Sequence, residues 1–341
     1  MHDTPVHSCA MVWHGASRLV TALGLVLGMF GCQISDHSAV VRPQVWDDWA
    51  VGQVLDAKAG QAVPMGTWLK ELATYDVIYL GEEHHNRFHI DAALTVLQAL
   101  VGQGRRPLLA MEMFGWDGQP ALDRYLTSRS SLAGARSEFL EQVHWKQNWG
   151  GAYDDYEPLV QFAKERHLPL QAMNPPKTLI RQVVKQGLIQ ARESPEWRQW
   201  GMAGETIVDT PAYRTRILSQ LQDCHGGGSP EDYQTMYEAS MVRDEGMAKT
   251  LVEAVTRVHD EANPVQGPVF SYTGGGHVQF RLPVPNRVVR RFPDKLRQVT
   301  VYMATFERPR AAELWQVMQE GIADYVWLTP QGSQGPPRRC R

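Results

Sequence analysis

The chain has 341 residues, of which 43% are hydrophobic and 21% are charged, and its formal net charge is −3. This composition supplies a large apolar core and excludes an intrinsically disordered chain, because disorder requires low hydrophobicity and high net charge. Basic residues are scattered along the chain up to a short PPRRCR tail at 336–341. We therefore exclude a nucleic-acid partner, which would need a clustered basic surface.

The first 31 residues have the features of a lipoprotein signal peptide. The apolar run at 19–30 is too short to span roughly 30 Å of hydrocarbon, but it suits the apolar segment of a secretory signal. Gly31 and Cys32 follow directly, as in the motif at which a bacterial lipoprotein receives its lipid. We expect Cys32 to be lipidated and, with Gln33 after it, the mature chain to reach the outer membrane. The other reading is an ordinary cleaved signal in which Cys32 has no function.

Cysteine usage provides no metal framework. Outside the signal region only Cys224 and Cys340 remain, and neither belongs to a CxxC pair of the kind that binds zinc. The two could form a disulfide in an oxidising compartment, but the sequence cannot show that they lie close together. We expect both thiols to stay free.

The rest of the chain divides into three parts. Residues 32–60 read as a lipid-proximal linker that runs into a small hairpin, with DAKAGQ at 56–61 as its turn. Residues 61–330 form the main domain, and residues 331–341 form a flexible basic tail. Within the main domain, the mostly helical stretch at 185–258 is far longer than a minimal crossover between strands. It predicts an inserted helical subdomain.

Short apolar runs alternate with helical stretches along the main domain. Continuous apolar runs between helices indicate strands buried on both faces, as in parallel sheets with right-handed crossovers. Helices are indicated at 89–104, which stops at a glycine, and at 229–255, which opens on Ser229 and Pro230. We predict a three-layer α/β fold with a mainly parallel sheet between helices. Its strands are expected at 76–80, 107–113, 168–174, 268–273, 298–304 and 324–328.

Polar side chains follow four of these strands where each strand ends. Glu82 and His84 follow the first strand, and Glu112 closes the second. Asn174 closes the third strand, and His277 follows the fourth. Because ligands of open parallel sheets gather at the carboxyl ends of the strands, we expect these groups to meet at one rim. The alternative is a buried hydrogen-bonded network that ties the loops together.

Two of these strand ends carry the same short motif. GEEH at 81–84 and GGGH at 274–277 are both Gly-x-x-His. A glycine at the end of a strand allows a positive φ and a tight turn, which would point the histidine back over the sheet. The two motif histidines together with Glu82 and Glu112 suit a divalent metal ion or a general acid and base pair.

The remaining histidines have less specific settings. His85 and His89 lie four residues apart at the start of a helix and could act as ligands, but pairs of this kind are more often partly exposed. His144, His167 and His259 have no partner at a diagnostic spacing. We expect these three at the surface.

An ordered series of motifs runs through the main domain. They are GEEHHNRFH at 81–89, AMEMF at 110–114, LDRYL at 122–126, EPLVQFAKERHLPLQAMNPP at 157–176, MVRDEGMAKTL at 241–251 and GGGHV at 274–278. The series resembles the ChaN-type haem-binding uptake lipoproteins, whose core fold is similar to that of the wider Tiki, TraB and erythromycin-esterase group. That resemblance implies haem binding at the cell surface during iron acquisition. It also implies a tyrosine ligand from the helical insertion and dimerisation around the haem.

The predicted helix at 229–255 offers candidate haem ligands. Haem needs an apolar slot and an axial ligand such as Tyr, His or Met. Tyr233 and Tyr237 lie on one stripe of this helix, shortly after His225, although such a stripe more often packs into a core. Trp116, Trp145 and Trp149 could line the slot, although aromatic side chains near a helix-rich insertion are more often structural.

The sequence thus leads to one main hypothesis and two alternatives. The main hypothesis is a lipid-anchored envelope protein that binds haem through Tyr233, Tyr237 or His225 and forms a homodimer. The first alternative is a membrane-tethered, metal-dependent hydrolase, and the second is an interaction protein with neither ligand. The hydrolase would use Glu82, His84, Glu112 and His277 to hold a divalent metal ion.

Overall fold

The computed structural model of the protein describes residues 44–128, 133–224, 226–260, 267–292, 296–333 and 335. The signal peptide, Cys32, His225 and the end of the basic tail lie outside these residues, so the expectations for them stay predictions. In the described part of the chain, no helix is long and apolar enough to cross a membrane.

Eight strands of the described chain lie in one sheet. They are β1 (Val54–Asp56), β2 (Ala62–Val63), β3 (Val77–Glu82), β4 (Leu108–Gly115), β5 (Leu170–Asn174), β6 (Val269–Gly274), β7 (Gln298–Thr305) and β8 (Tyr325–Thr329). Their order across the sheet is β2-β1-β8-β7-β3-β6-β4-β5. The strands from β3 to β8 pair in parallel, and β1 pairs antiparallel with both β2 and β8. The predicted mainly parallel α/β fold is confirmed.

Helices connect these strands and cover the sheet. They are α1 (Met65–Leu72), α2 (Arg87–Gly102), α3 (Gln119–Thr127), α4 (Ala133–Gln142), α5 (Trp145–Asn148), α6 (Tyr153–Glu165), α7 (Lys177–Arg192), α8 (Pro195–Gln199), α9 (Pro211–Cys224), α10 (Pro230–His259), α11 (Val284–Val289) and α12 (Ala311–Gln319). Short 3-10 turns lie at Trp116–Gly118, Gly275–His277, Gln279–Arg281 and Arg308–Arg310.

The central strand β3 shows how the three layers are built. Successive side chains of a strand point to opposite faces of the sheet. Ile78 and Leu80 pack into the core that includes residues of α2 and α6, whereas Val77 and Tyr79 pack into the core that includes residues of α10 and α11. All four side chains are fully buried. The sheet is therefore covered on both faces, as the continuous apolar runs predict.

The hairpin of β1 and β2 extends the sheet beyond β8. Val54 pairs with Val63 on one side and with Trp327 on the other. The compact unit accordingly begins at Gln44. The segment predicted as a linker, 32–60, thus contains a strand of the main sheet. The hairpin covers an edge of β8 that would otherwise expose unpaired backbone groups.

The long helix α10 belongs to two parts of the molecule. Its first half packs with α7, α8 and α9 in the helical insertion, whereas its side chains from Met247 to Val255 pack against the sheet. It opens with a capping box at Ser229 and has Pro230 in its first turn, as predicted. The last turns of α10, within the stretch 185–258 predicted as the insertion, pack against the sheet and lead to β6.

Cys224, at the end of α9, is in a disulfide bond. The expectation that this thiol stays free is therefore wrong. Its partner cysteine lies outside the described residues. The sequence alone could not reveal the bond, because a disulfide joins cysteines that are close in space and can be far apart along the chain.

Candidate functional site

The two Gly-x-x-His motifs lie side by side because β3 and β6 are neighbouring strands, with Glu82 in register with Gly274. A Cβ on Gly81 would overlap the side chain of Val278, and a Cβ on Gly274 would lie 2.7 Å from Cε1 of His84. Each motif therefore packs against the glycine of the other. Neither glycine has a positive φ, so the turn predicted from backbone freedom is wrong. Close packing is what requires glycine here.

Glu82 and His84 form the first acid and histidine pair at the rim. His84 Nδ1 lies 2.8 Å from Glu82 Oε1, and the hydroxyls of Tyr156 and Tyr272 donate to the same carboxyl group at 2.9 and 2.6 Å. Burial raises the pKa of Glu82, and these hydrogen bonds offset only part of the rise. Burial opposes protonation of His84, but the neighbouring carboxylates of Glu82 and Glu112 raise its pKa above the ordinary value. Because Nδ1 is held by Glu82, Nε2 is the nitrogen that can exchange a proton with a ligand.

Glu112, His277 and Asp244 form a second, ionic chain. His277 Nε2 lies 3.3 Å from Glu112 Oε1, and its Nδ1 lies 2.6 Å from Asp244 Oδ1. Glu112 also accepts hydrogen bonds from the Thr273 hydroxyl and the Gly274 N–H, at 2.5 and 2.7 Å. Burial opposes the charge on His277, but the two carboxylates raise its pKa to about 10. The imidazolium in turn overcomes burial and holds the pKa of Glu112 well below its ordinary value.

The four predicted rim residues meet, but they do not form a metal site. Among the described residues, no group of three His, Cys, Asp or Glu side chains is placed to hold a metal ion. Glu82 already accepts three hydrogen bonds, and His277, with its raised pKa, carries a proton on each nitrogen at neutral pH and so offers no free lone pair to a metal ion. The divalent ion of the hydrolase alternative is not supported. The arrangement instead suits proton exchange at His84.

An open cleft of about 350 Å³ lies at this rim, and we call it the rim cleft. Four strand ends contribute to its lining, since His84 follows β3, Glu112 lies in β4, Asn174 ends β5 and His277 follows β6. The polar residues predicted at four separate strand ends thus line one cavity. Its other lining residues are His85, Asn148, Trp149, Pro175, Lys177, Ile180 and Arg243.

The two histidines after the first motif have separate environments. His85 lies at the rim cleft, and its Nδ1 is 2.7 Å from Asp155 Oδ2. His89 is fully buried, where its Nδ1 accepts from the Glu83 N–H and its Nε2 lies 2.8 Å from the Thr329 hydroxyl. Burial lowers the pKa of His89 to about 3. The partial exposure expected for this pair is therefore wrong for His89, which is a neutral core histidine.

The two tyrosines considered as haem ligands differ sharply in environment. Tyr237 is fully buried, and its hydroxyl donates to Asp209 Oδ1 at 2.5 Å. Burial, followed by this carboxylate, raises the pKa of the Tyr237 phenol. Tyr233 is half-buried in the first turn of α10, and its hydroxyl accepts a hydrogen bond from the Gly228 N–H at 3.3 Å. The third candidate, His225, lies outside the described residues.

The three tryptophans considered for a haem slot do not line a common surface. Trp145 packs in the main core, and Trp149 lies edge-on against His84 with ring centroids 4.7 Å apart. Trp116 packs against the core of the insertion and donates to Thr250 Oγ1 at 2.8 Å. Trp145 and Trp149 both pack in the main core, whereas Trp116 packs in the insertion, so the three rings have structural positions and do not share one slot.

Three side chains that complete the rim network were not predicted. Tyr156 of α6 and Tyr272 of β6 donate to Glu82, and Asp244 of α10 holds His277. A tyrosine inside a buried strand is a usable signal, because a buried phenol requires a hydrogen-bond partner. The signal for Asp244 was weaker. An acid on an otherwise apolar helical stripe requires a partner, but tertiary packing decides which residue that partner is.

The sequence model of one family, described as haem-binding uptake, Tiki superfamily, ChaN, matches residues 68–288. The chain belongs to this family. The matched range of this ChaN-family chain contains both Gly-x-x-His motifs, the helical insertion and Asp244. A curated plant protein, RETICULATA-RELATED 5, chloroplastic, of Arabidopsis thaliana, is 25% identical over 276 residues, which are 76% of this chain and 35% of that protein. The chain therefore spans only about a third of the length of that relative.

Solved structures show the same fold. A structure described as cofacial heme binding to ChaN of Campylobacter jejuni matches with a TM-score of 0.59 and 17% identity, over 80% of this chain and 95% of that chain. An erythromycin esterase mutant in its open conformation matches with a TM-score of 0.41 and 14% identity, over 75% of this chain and 77% of that chain. The first likeness establishes the fold, and the second is too distant to support an argument.

Proposed function

We propose that this chain is a lipid-anchored protein of the cell envelope that binds haem for iron acquisition. Its membership of the haem-binding ChaN family supports the choice of ligand, because the matched range 68–288 includes the helical insertion. The observation that carries the proposal is an exposed groove on that insertion, lined in part by the same first turns of α10 that carry Tyr233.

This groove, which we call the insertion cleft, has a volume of about 400 Å³ and lies between α7 and the start of α10. The helix α7 breaks at Gly187, where φ is 79° and ψ is 165°. Ile189, in the lining, is 78% exposed, and Val184, five residues earlier and before the break, is 41% exposed. A porphyrin face needs an apolar wall, to which such exposed aliphatic side chains would contribute. The lining residues are Gly187, Leu188, Ile189, Gln190, Pro230, Glu231, Gln234, Thr235 and Glu238.

Tyr233 fits the role of axial ligand better than Tyr237. A phenol must lose its proton to ligate ferric iron, so burial and a nearby carboxylate oppose ligation by Tyr237. Tyr233 is only half-buried, and its hydroxyl accepts a hydrogen bond from a backbone N–H, whereas the Tyr237 hydroxyl donates to a carboxylate. When bound, haem would supply the iron centre that the Tyr233 oxygen is proposed to ligate.

Replacing Tyr233 with phenylalanine is expected to weaken haem binding at least about tenfold, a change of roughly 1.4 kcal/mol. The reason is that phenylalanine keeps the ring and removes the oxygen that would ligate iron. Titration of the purified full chain with hemin, followed at the Soret band, gives the affinity. Tyr237→Phe is the matched control, because it removes a hydroxyl on the same helix that is bonded to Asp209. Loss of binding in the Tyr237 variant alone would contradict the assignment, and no Soret shift in the wild-type chain would contradict haem binding itself.

Lipidation of Cys32 supplies the proposed attachment to the outer membrane. A thioether-linked lipid contributes about 0.8 kcal/mol for each buried methylene, so several acyl chains give a firm anchor. We expect Cys32→Ser to move the protein from the membrane fraction to the soluble fraction in cells, as measured by fractionation and immunoblotting. Equal membrane association of the two forms would contradict the anchor. Gel filtration of the haem-loaded chain tests the proposed homodimer.

A further inference from the structure

Two cationic side chains line the rim cleft beside His84 and Glu112. They are Lys177, the first residue of α7, and Arg243 of α10. Within the described residues, neither side chain forms an ion pair. Burial and then the positive charges of Arg181 and Arg243 lower the pKa of Lys177. The cations are therefore close enough to repel each other, and the fold keeps them together without a carboxylate between them.

Hydrogen-bond donors in the same cleft are also left without acceptors. Arg243 Nε and Trp149 Nε1 are both buried, and neither has a hydrogen-bond partner in the described structure. A buried donor without a partner is costly, because it has lost its bonds to water. Both residues line the rim cleft. An acceptor placed in the cleft would therefore recover bonds that the folded chain alone does not make.

The carboxylates nearest to this cleft are already bound by other groups. Glu112 is held by His277 and two further donors, and Asp155 is held by His85. Asp244 accepts from the Tyr213 hydroxyl at 2.5 Å and also contacts His277. These acids do not neutralise Lys177 or Arg243. The amino end of α7 adds a partial positive charge at the same place, since the helix begins at Lys177.

We propose that the rim cleft binds a small oxyanion, a carboxylate or a phosphate group, held by Lys177 and Arg243 with the Trp149 N–H as a further donor. Charge-assisted bonds of this kind are the strong ones in ligand recognition, and the arginine fork matches both oxyanions. The bound anion would lie in the same cavity as His84, whose Nε2 can exchange a proton with it. This site is separate from the insertion cleft, so it does not depend on haem binding.

The test is calorimetric titration of the purified full chain, free of haem, with inorganic phosphate and separately with malonate at pH 7. The wild-type chain is expected to bind at least one of the two anions at a single site. Binding of phosphate alone identifies a phosphoryl ligand, and binding of malonate alone identifies a carboxylate ligand. Either result, or binding of both anions, supports the oxyanion site. Lys177→Gln and Arg243→Gln should each weaken binding about tenfold or more, because each removes a charge-assisted bond.

Lys185→Gln is the matched control, because Lys185 is exposed on the same helix and does not line the rim cleft. It should bind the anion as tightly as the wild-type chain. Circular dichroism and thermal melting show whether each variant is folded, and Lys177→Gln remains informative if Arg243→Gln is not. The proposal is overturned if neither anion binds to the wild-type chain, or if Lys177→Gln and Lys185→Gln bind with equal affinity.

Discussion

Replacing His277 with glutamine is expected to lower the free energy of unfolding by about 3–5 kcal/mol, the usual cost of breaking a buried ion pair. The imidazolium of His277 is the cation between Glu112 and Asp244, and both acids are almost fully buried. Glutamine has a similar size but carries no charge, so the cation between two buried carboxylates is lost and only their neutral hydrogen-bond donors remain. Urea unfolding of the wild-type and variant chains measures the difference.

The pH dependence of this difference has a defined sign. The pKa of His277 is about 10 in the folded chain, against about 6.5 for an unfolded histidine. A raised folded pKa gives a stabilising contribution that is complete below pH 6.5 and is lost as the pH rises toward 10. The gap between wild type and His277→Gln should therefore be larger at pH 6 than at pH 9.5. His259→Gln is the control, because the His259 and Asp76 pair is largely exposed and contributes little. A gap that does not change with pH would contradict the ionic chain.

His89 is expected to act in the opposite direction and to make the fold sensitive to acid. Its pKa is lowered to about 3 by burial, so between pH 6.5 and pH 3 the unfolded chain binds a proton that the folded chain does not. Stability should therefore fall on acidification by about 1.4 kcal/mol for each pH unit from this residue alone. The neutral ring also bridges the Glu83 N–H and the Thr329 hydroxyl. Protonation of Nδ1 would remove the lone pair that accepts the Glu83 hydrogen bond.

The measurement is the slope of unfolding free energy against pH between 6.5 and 4.5, in wild type and in His89→Gln. The variant cannot titrate at this position, so its slope should be shallower even though it is less stable at pH 7. His167→Gln should keep the wild-type slope, because His167 is exposed. Parallel curves for wild type and His89→Gln would show that His89 is not a buried neutral histidine.

The parallel strands and their common rim could be predicted because both depend on local patterns. Apolar runs such as 76–80 record burial on two faces, and the parallel direction of the strands places their carboxyl ends together. The Gly-x-x-His motifs were informative for the same reason, although the glycines at 81 and 274 serve close packing and not a positive φ. The family resemblance is confirmed by the match over 68–288.

The partners within the site could not be predicted, because they depend on which helix lies over which strand. Asp244 reads as one polar position on the stripe of α10, and only the crossing of α10 beside β6 brings it to His277. Likewise, the sequence suggests that His89 is exposed near the start of a helix. In the fold, β8 covers it and Thr329 is its hydrogen-bond partner. The cations of the rim cleft, Lys177 and Arg243, are 66 positions apart by their residue numbers and have no shared motif.

The continuous helix α10 has a mechanical consequence for the protein. One uninterrupted rod of 30 residues carries Tyr233 in its first turn, Asp244 near its middle and sheet-packing side chains in its last turns. No linker therefore separates the insertion from the layer over the sheet, because one hydrogen-bonded element runs through both. The insertion is thus anchored to the sheet by the same helix whose Asp244 contacts His277.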